Sequence, residues 1–414
     1  MSTHPILAAL RRHKAGVILI ALQIALTLAI VCNAIFIIGQ RIDRVNRPTG
    51  IDEANLFVVS QQWVGTPESG APGAVDTIDS LVRADLDTLR RLPGVESVAP
   101  VNSVPLFGSS HVNGITLTPD QKNSTLSATI YEGDDKLMST LGVQLIAGRA
   151  FTAADVLRMD FHDDTLPPSV IVSQATAEKL FPNQSAVGKT IYSDSKPTTI
   201  VGVVKLLESS MAESFAKDSD YYTIIEPVRQ VGDNSRYVVN TRSGQQAAAM
   251  AATRDALFAA NPQRVIDPDR GILSFAQVRH AAYRADRGMA ILMAVVCLIM
   301  LCVTAAGIVG LTSFWVGQRH RQIGVRRALG ARKSDILHYF QIENLMIAGG
   351  GVVVGVVLAV GLNLWLMSQY EMPRLPLLYV LIGMVALLAL GQAAVFVPAR
   401  RASRVSPIEA TRAA

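Results

Sequence analysis

Between Gly288 and Gln318 the chain runs for 31 residues without a charged side chain. Residues 15–40, 344–370 and 375–399 are also uncharged and mostly apolar. A helix needs about 20 apolar residues to cross the hydrocarbon core of a bilayer, and each stretch is longer than that. The first stretch is also too long for the apolar core of a signal peptide, and no Ala-x-Ala site follows it. We therefore predict a membrane protein with four transmembrane α-helices.

Charge predicts the orientation of these helices. If the N-terminus, the loop after the second helix and the C-terminal tail share one side, that side carries 13 basic and three acidic residues. The rest of the chain then carries 25 basic and 30 acidic residues. Lys and Arg are enriched in cytoplasmic segments, so these three segments are predicted to be cytoplasmic. This topology explains the net positive charge, and no nucleic-acid partner is expected. Three arginines just beyond the first helix oppose the bias locally: Arg41, Arg44 and Arg47.

The segment between the first and second apolar stretches, residues 41–287, is long enough to bury a core of its own. Period-2 and period-3.6 patterns predict strands at 54–60, 95–101, 169–173 and 199–205, and helices at 78–92 and 174–180. The alternation predicts a large α+β domain with mixed sheets, inserted between the first and second transmembrane helices. All three cysteines lie in the apolar stretches, so this domain is expected to fold without disulfides.

Residues 274–287 have the pattern of a stalk helix that runs directly into the second transmembrane helix, with Ser274 as its N-cap. The predicted organisation is a cytoplasmic N-terminus at 1–14, transmembrane helices at 15–40, 288–318, 344–370 and 375–399, an extracytoplasmic domain at 41–287, a cytoplasmic loop at 319–343, an external loop at 371–374 and a cytoplasmic tail at 400–414. Six uncharged polar residues within the apolar stretches are predicted to serve helix packing: Gln23, Thr27, Asn33, Thr304, Asn363 and Gln392. A small-residue face formed by Gly349, Gly350, Gly351 and Gly355 has the same interpretation.

The sequence offers no recognisable catalytic or nucleotide-binding pattern. Gly188-Lys189-Thr190 ends like a phosphate-binding loop, but Asn183 stands where that loop requires a glycine. Asp160, His162, Asp163 and Asp164 form the one plausible metal cluster, and the prolines that follow are more typical of a solvated loop. We therefore expect no catalytic residue, no metal site and no cofactor site in these 414 residues.

The block Arg319-His-Arg-Gln-Ile-Gly-Val-Arg-Arg-Ala-Leu-Gly-Ala331 follows the second apolar stretch at once. Gly330 suits the C-terminal end of a short helix, and basic residues in the last turn complement the helix dipole. Ser334 and Asp335 suit the start of a second helix that leads into the third membrane span. Two short helices with Val325, Ala328 and Leu329 as their apolar residues would form a rigid plug for a groove in a partner. On charge alone, the same loop would equally suit binding to anionic lipid.

This block resembles the cytoplasmic loop of the FtsX-like permeases of MacB-type ABC transporters, whose pattern is approximately Arg-x-Arg-Glu-Ile-Gly-x-Arg-Arg-Ala-Leu-Gly-Ala. Gln322 stands where glutamate is usual. The tail from Pro398 to Arg412 resembles the family's closing segment, with Thr411 in place of leucine. Segments 92–100, 141–149, 170–181, 187–190 and 200–204 resemble landmarks of the MacB-type periplasmic domain.

The resemblance implies a multi-pass protein of the bacterial inner membrane, with cytoplasmic termini and a large periplasmic domain. It implies a dimer with a second permease chain, identical or related, and an ABC ATPase subunit that binds ATP and Mg. The implied docking residues for the ATPase are Arg319, Arg321, Gln322, Ile323, Gly324, Arg326, Arg327, Ala328, Leu329, Gly330 and Ala331. The resemblance also implies that ATP hydrolysis in the partner is coupled to movement of the periplasmic domain. The landmarks of that domain favour export, with a periplasmic adaptor and an outer-membrane channel as further partners, and lipoprotein release and control of cell-wall hydrolases are the alternatives within the family. A membrane sensor with an extracytoplasmic ligand domain is the alternative from another class.

Overall fold

The computed structural model describes residues 14–68, 70–160, 163, 165–193, 195–211, 219–370 and 374–404. Its elements begin, in chain order, with α1 (Lys14–Val45), β1 (Leu56–Trp63), α2 (Ala74–Arg90), β2 (Val95–Pro100), β3 (His111–Thr116), β4 (Leu126–Glu132), α3 (Leu137–Leu141), β5 (Leu145–Gly148), β6 (Leu157–Asp160), β7 (Ser169–Ser173), α4 (Gln174–Leu180), β8 (Thr190–Ser193) and β9 (Lys196–Val204). They continue with β10 (Thr223–Glu226), β11 (Val228–Val231), β12 (Asn234–Thr241), α5 (Gln246–Ala260), β13 (Arg264–Val265), β14 (Ile272–Ser274), α6 (Phe275–Ala282), α7 (Arg284–Gln318), α8 (His320–Ala328), α9 (Lys333–Tyr370) and α10 (Leu377–Ser403). The chain divides into two compact units: a helical unit (residues 1–46 and 285–414) and an inserted domain (residues 47–284).

Four helices of the helical unit are long and apolar enough to cross a membrane: α1, α7, α9 and α10. The helices α1, α7 and α9 each contain one of the apolar stretches, and α10 contains the fourth from Leu377 onward, two residues after its predicted start. Helix α9 begins at Lys333, within the predicted loop. The unit's core joins residues of all four helices, including Ile24, Ile308, Ile347 and Leu387. Because a lipid environment gives little hydrophobic drive between helices, close packing and hydrogen bonds must hold such a bundle together.

The polar residues in the apolar helices form hydrogen bonds within the helical unit, as the packing interpretation requires. The hydroxyl groups of Thr27 and Thr304 share a hydrogen bond of 2.8 Å. The Asn33 amide donates to the carbonyl oxygen of Ala359 at 3.1 Å. The remaining three bonds are Gln23 to the Val303 carbonyl, the Leu375 amide to Asn363, and Gln392 to the Gln341 carbonyl.

Two of the five glycines on α9 form its close contact with α1. A Cβ atom added to Gly351 would lie 2.7 Å from the Ala21 carbonyl oxygen. One added to Gly355 would lie 2.9 Å from the Leu28 Cβ atom. Beside Gly350, by contrast, the described residues leave open space. The small-residue face predicted from the sequence therefore serves packing through Gly351 and Gly355.

Replacing Gly355 with valine is expected to lower the free energy of unfolding of the helical unit by about 1–3 kcal/mol, because overpacking a tight contact forces helices apart. Gly350→Val is the matched control, since it adds the same side chain to the same helix on an open side. Thermal unfolding of the purified chain in detergent measures both. Equal losses in the two variants would contradict the assigned α1–α9 contact.

The inserted domain contains a five-stranded sheet with two helices packed on it. The strand order is β13-β1-β12-β2, with β14 also paired to β1. Leu86 and Leu89 of α2 and Leu257 of α5 are buried against this sheet with Phe57 and Val239. The helical period of α2 thus supplies the apolar face that the sheet requires.

Inside this layer lies a buried charge pair. Arg264 and Asp85 are 2.9 Å apart, and their side chains are 0% and 1% exposed. The side chains of Gln61 and Tyr237 both donate to the Asp85 carboxylate, at 2.6 and 2.9 Å. The Arg264 guanidinium also lies over the ring of Trp63, 4.6 Å from its centre. Four elements of the layer therefore meet at one carboxylate.

A second, seven-stranded sheet of the inserted domain curls into a closed barrel. Its order is β5-β9-β7-β10-β4-β3-β8, and β8 pairs back onto β9. Parallel and antiparallel neighbours both occur, as predicted for an α+β domain with mixed sheets. Alternate residues of the strands fill the interior, among them Ile115, Ala128, Ile130, Ile200 and Ile224.

The predicted stalk helix is not continuous. Ser274 is the N-cap of α6, and its hydroxyl accepts from the Gln277 amide as predicted. However, α6 ends at Ala282, Tyr283 leaves the helical conformation, and α7 begins at Arg284. The Tyr283 side chain is fully buried, and its hydroxyl donates to Glu208 at 3.2 Å. This contact 75 residues away in sequence fixes the tyrosine at the break.

Ion pairs hold both ends of the inserted domain. Arg279 of α6 donates to both carboxylate oxygens of Glu53, at 2.8 and 2.7 Å, and to the Arg47 carbonyl oxygen at 2.8 Å. Arg47 in turn pairs with Asp220. Burial raises the pKa of Glu208, beside Tyr283, to about 7. Arg47, the first residue of the domain, and Arg279, near its end, are thereby held to each other and to other residues of the domain.

Candidate functional site

The short helix α8 follows α7 directly and ends in a glycine cap. The Ala331 amide donates to the Arg326 carbonyl at 3.0 Å, and the Gly330 amide donates to the Arg327 carbonyl at 3.1 Å. This pair of bonds is the Schellman motif, which needs a left-handed residue after the helix. Gly330 has φ +97°, so the predicted role of this glycine is confirmed.

The segment after the cap leads straight into α9. The Arg332 amide donates to the Asp335 carboxylate at 2.9 Å, which satisfies one of the free amides at the start of this helix. The second helix predicted from Ser334 and Asp335 is therefore the first turn of α9 itself. The loop contains one short helix, α8, rather than two.

One side of α8 is attached to the rest of the helical unit. Arg319 donates to both carboxylate oxygens of Glu343, at 3.0 and 2.9 Å. Ile323 is buried in the helical core. Arg327 donates to the Ser403 carbonyl oxygen of α10 at 2.7 Å. Because residues four apart lie on one side of a helix, these three side chains orient α8 as a unit.

The opposite side of α8 is exposed, and we call it the outer face. It consists of Arg321, Gln322, Val325, Ala328 and Leu329. Leu329 is 83% exposed and Val325 is 45% exposed. A basic and polar rim surrounds these two apolar side chains, an arrangement typical of a protein contact surface.

The remaining predicted docking residues have intermediate roles. The Arg326 guanidinium lies over the Tyr339 ring, 5.3 Å from its centre. Gly324 is buried, whereas Gly330 and Ala331 form the capped end. The structure thus brings all eleven residues together on one helix and its cap, and Arg326 and Gly330 are exposed beside the outer face.

Sequence reasoning missed the residues that hold α8 in place. Glu343, Tyr339 and Ser403 contact three different arginines of the loop. One signal was present, because Glu343 is the only acidic residue between Asp335 and the end of α9. A lone carboxylate at the start of an apolar span calls for a basic partner nearby.

The other motifs of the sequence have structural roles where they are described. The Gly188 amide donates to the Ile200 carbonyl at 2.8 Å, so it is already used in the barrel. The Asp160 carboxylate accepts from the Gly70 amide, and Asp163 accepts from the Thr165 amide. His162, Asp164 and residues 405–414 lie outside the described residues. Among the described residues, no group of three or more His, Cys, Asp or Glu side chains is placed to hold a metal ion.

Comparison with known families decides the identity of the fold. Residues 18–256 match the MacB-like periplasmic core domain, and residues 294–407 match the FtsX-like permease C-terminal domain. The first match alone spans more than half of the chain. The chain belongs to the MacB/FtsX-like family of ABC transporter permeases. As a member of this family it is a transmembrane protein with a MacB-like periplasmic domain and an FtsX-like domain.

Similar proteins of this family are known from several bacteria. The macrolide export ATP-binding/permease protein MacB of Bordetella avium is 27% identical over 342 residues, which cover 80% of this chain and 48% of the relative. MacB 1/2 of Paracoccus denitrificans is 26% identical over 416 residues, which cover 98% of this chain and 57% of the relative. The chain thus spans about half the length of the curated relatives it matches. The periplasmic region of MacB from Actinobacillus actinomycetemcomitans aligns with 58% of this MacB/FtsX-like chain and 97% of its own, with 14% identity and a TM-score of 0.35.

Proposed function

We propose that this chain is the membrane subunit of an ABC transporter and that its outer face docks a separate ATPase subunit. The observation that supports this most is the combination of a rigidly held helix with an exposed apolar pair on the side away from the unit. A surface that must transmit force has to be fixed on its own protein and available to a partner. ATP and Mg would be bound by the partner.

The distribution of charge supports a cytoplasmic position for the outer face. The loop at 319–343 carries six Lys and Arg residues and two acidic residues. Three arginines at and just after the C-terminal end of α1 oppose this orientation: Arg41 and Arg44, which both contact Asp286, and Arg47, which pairs with Asp220. Long domains are translocated largely regardless of such charges, so we assign the termini to the cytoplasm and the inserted domain, residues 47–284, to the periplasm.

Export is the proposed outcome of the cycle. The relatives named macrolide export proteins support this choice over lipoprotein release and over control of hydrolases. The four apolar stretches, residues 15–40, 288–318, 344–370 and 375–399, contain no charged residue that would mark a path for substrate through the membrane, which favours movement of the periplasmic domain as the transmitted signal. The residues at both ends of the inserted domain, Arg47 and Arg279, are placed to carry such movement. A second permease chain, and an adaptor with an outer-membrane channel, complete the proposed assembly.

Purification of the tagged chain from native membranes, with mass spectrometry of the proteins that accompany it, tests this function. The proposal predicts an ABC ATPase in stoichiometric amount. Repeated purification in several mild detergents without an ATPase would instead favour the membrane sensor.

A further inference from the structure

At one end of the barrel of the inserted domain, the interior side chains change from apolar to acidic. Along β4, the interior residues Ala128 and Ile130 are followed two positions later by Glu132. Along β10, Ile224 is followed by Glu226 in the same way. Side chains two residues apart lie on one face of a strand, so both glutamates continue the interior series.

The two glutamates are neighbours across the sheet. Glu132 and Glu226 are directly paired in the parallel register of β4 and β10, and each is the last residue of its strand. Directly opposed side chains on adjacent strands lie about 5 Å apart at Cβ. His111 of β3 joins them, with its Nδ1 atom 2.9 Å from Glu132 Oε1. The barrel therefore closes at this end on two carboxyl groups and an imidazole.

Two buried polar atoms at this end are suited to contact a ligand. Glu132 is 7% exposed, and its Oε2 atom has no hydrogen-bond partner among the residues that the structure describes. The Oγ atom of Ser193 on β8 also has no hydrogen-bond partner among the described residues, and this serine is 5% exposed. Burying a polar atom without a partner is unfavourable, and a bound ligand that forms the hydrogen bond would remove this cost.

These atoms line a cavity of about 490 Å³, which is within the range of small-molecule sites. The mouth of a β-barrel is a common position for such sites. A second cavity of about 410 Å³ is also lined by His111 and Glu132. His111 itself is 45% exposed in its side chain, so the site is reached from solvent.

The charged residues that line the cavity indicate which kind of ligand it would bind. The charged and titratable groups that line it together with Glu226 are His111, Glu132, Asp160, Asp163 and Lys196. Acidic groups outnumber basic ones, and Glu132 accepts hydrogen bonds without donating any when ionised. The cavity is also far larger than a single ion. We propose that the barrel mouth binds a small organic molecule that carries a protonated amine and a hydroxyl group, with the amine between Glu132 and Glu226 and the hydroxyl at Ser193, and that binding releases a proton.

The protonation state of Glu132 and Glu226 explains why binding would release a proton. Burial, and then the charge of Glu132, raise the pKa of Glu226 to about 8. The hydrogen bond to Glu132 raises the pKa of His111. At pH 7 Glu226 therefore holds a proton, and an ammonium group beside it favours the ionised form and expels that proton. This inference concerns the inserted domain alone and stands whether or not an ATPase docks on α8.

Calorimetric titration of the full chain in detergent with trans-4-aminocyclohexanol tests the site, and trans-1,4-cyclohexanediol is the uncharged control. The amine stays protonated up to about pH 9, as an alkylamine does. We expect the amine to bind at least about tenfold more tightly than the diol, and its affinity to rise about tenfold from pH 7 to pH 9 as Glu226 loses its proton. Equal affinities of the two compounds, or an affinity for the amine that does not change with pH, would overturn the proposal without the use of any variant.

Variants assign the effect to residues. Glu226→Gln is expected to remove most of the pH dependence and leave the part due to His111. Glu132→Gln should lower the affinity for the amine, because it removes one of its two carboxylates, and should weaken the pH dependence, because the charge of Glu132 no longer raises the pKa of Glu226. Glu178→Gln, at an exposed position on α4, should change neither. Unchanged binding of the amine in both Glu226→Gln and Glu132→Gln would show that the site lies elsewhere.

Discussion

Replacing Val325 and Leu329 together with glutamate is expected to reduce recovery of the ATPase with the purified chain by about 100-fold. Both side chains point away from the helical unit, so the change leaves the fold of α8 intact. If these residues enter a groove of the ATPase, the variant buries two carboxylates without partners. A loss of about 3 kcal/mol is ordinary for residues at the centre of an interface, and it corresponds to about 100-fold in affinity.

The control for this variant is His320→Glu. His320 is exposed on the same helix, but it lies on the side of Ile323 and Arg327 rather than on the outer face. A glutamate there adds negative charge to α8 and suits the N-terminal turn of a helix. Recovery of the ATPase should be unchanged. If the control lost the ATPase as fully as the double variant, charge in the loop, and not the apolar pair, would govern association.

Asp85→Ala is expected to destabilise the inserted domain by about 3–5 kcal/mol, because it leaves the Arg264 guanidinium buried without its carboxylate. Gln61 and Tyr237 lose an acceptor in the same step. Pulse proteolysis of the full chain in detergent, with cleavage sites in the inserted domain followed, measures the free energy of unfolding of this part.

Asp87→Ala is the matched control, two residues further along the same helix. Its side chain is 61% exposed and pairs with Arg90 at 3.3 Å on the surface. Exposed pairs of this kind contribute about 0–1 kcal/mol, so a small change is expected. A loss below about 1 kcal/mol for Asp85→Ala would mean that solvent reaches Arg264, against the buried network described here.

The apolar helices could be predicted from the sequence because the requirement is local. A span needs only length and absence of charge, and each of the four stretches corresponds to one helix of the structure, although the fourth helix begins at Leu377 and not at residue 375. The starts of some helices could be predicted for the same reason. Ser173 and Ser274 each accept a hydrogen bond from an amide near the start of the next helix. Strand β7 therefore ends, and helices α4 and α6 begin, where the sequence predicts.

The break at Tyr283 could not be predicted in this way. The helical pattern continues from Ser274 through Arg287, and nothing local marks the tyrosine as a helix end. Its hydrogen bond to Glu208 becomes visible only when the fold brings the two residues together. The pairing of Asp85 with Arg264, 179 residues away, and the closure of the barrel by β8 on β9 are hidden for the same reason.

The candidate site was predicted in part. The residues of the loop were recognised by pattern, and Gly330 was assigned its role from backbone chemistry alone. Their division into an attached side and an outer face depends on Glu343 and Ser403, which lie 24 and 76 residues from their partners. The barrel mouth gave no sequence signal, because Glu132 and Glu226 are 94 residues apart and become neighbours only through strand pairing.

Photo-crosslinking from position 329 tests the central claim most directly. A photoreactive amino acid is placed at Leu329 on the outer face, or at His320 as the control, and native membranes are irradiated before purification. The account predicts a crosslinked ABC ATPase from position 329 and little from position 320. Crosslinks from position 329 to lipid alone, while the ATPase is present in the same membranes, would contradict the assignment of the outer face as the docking surface.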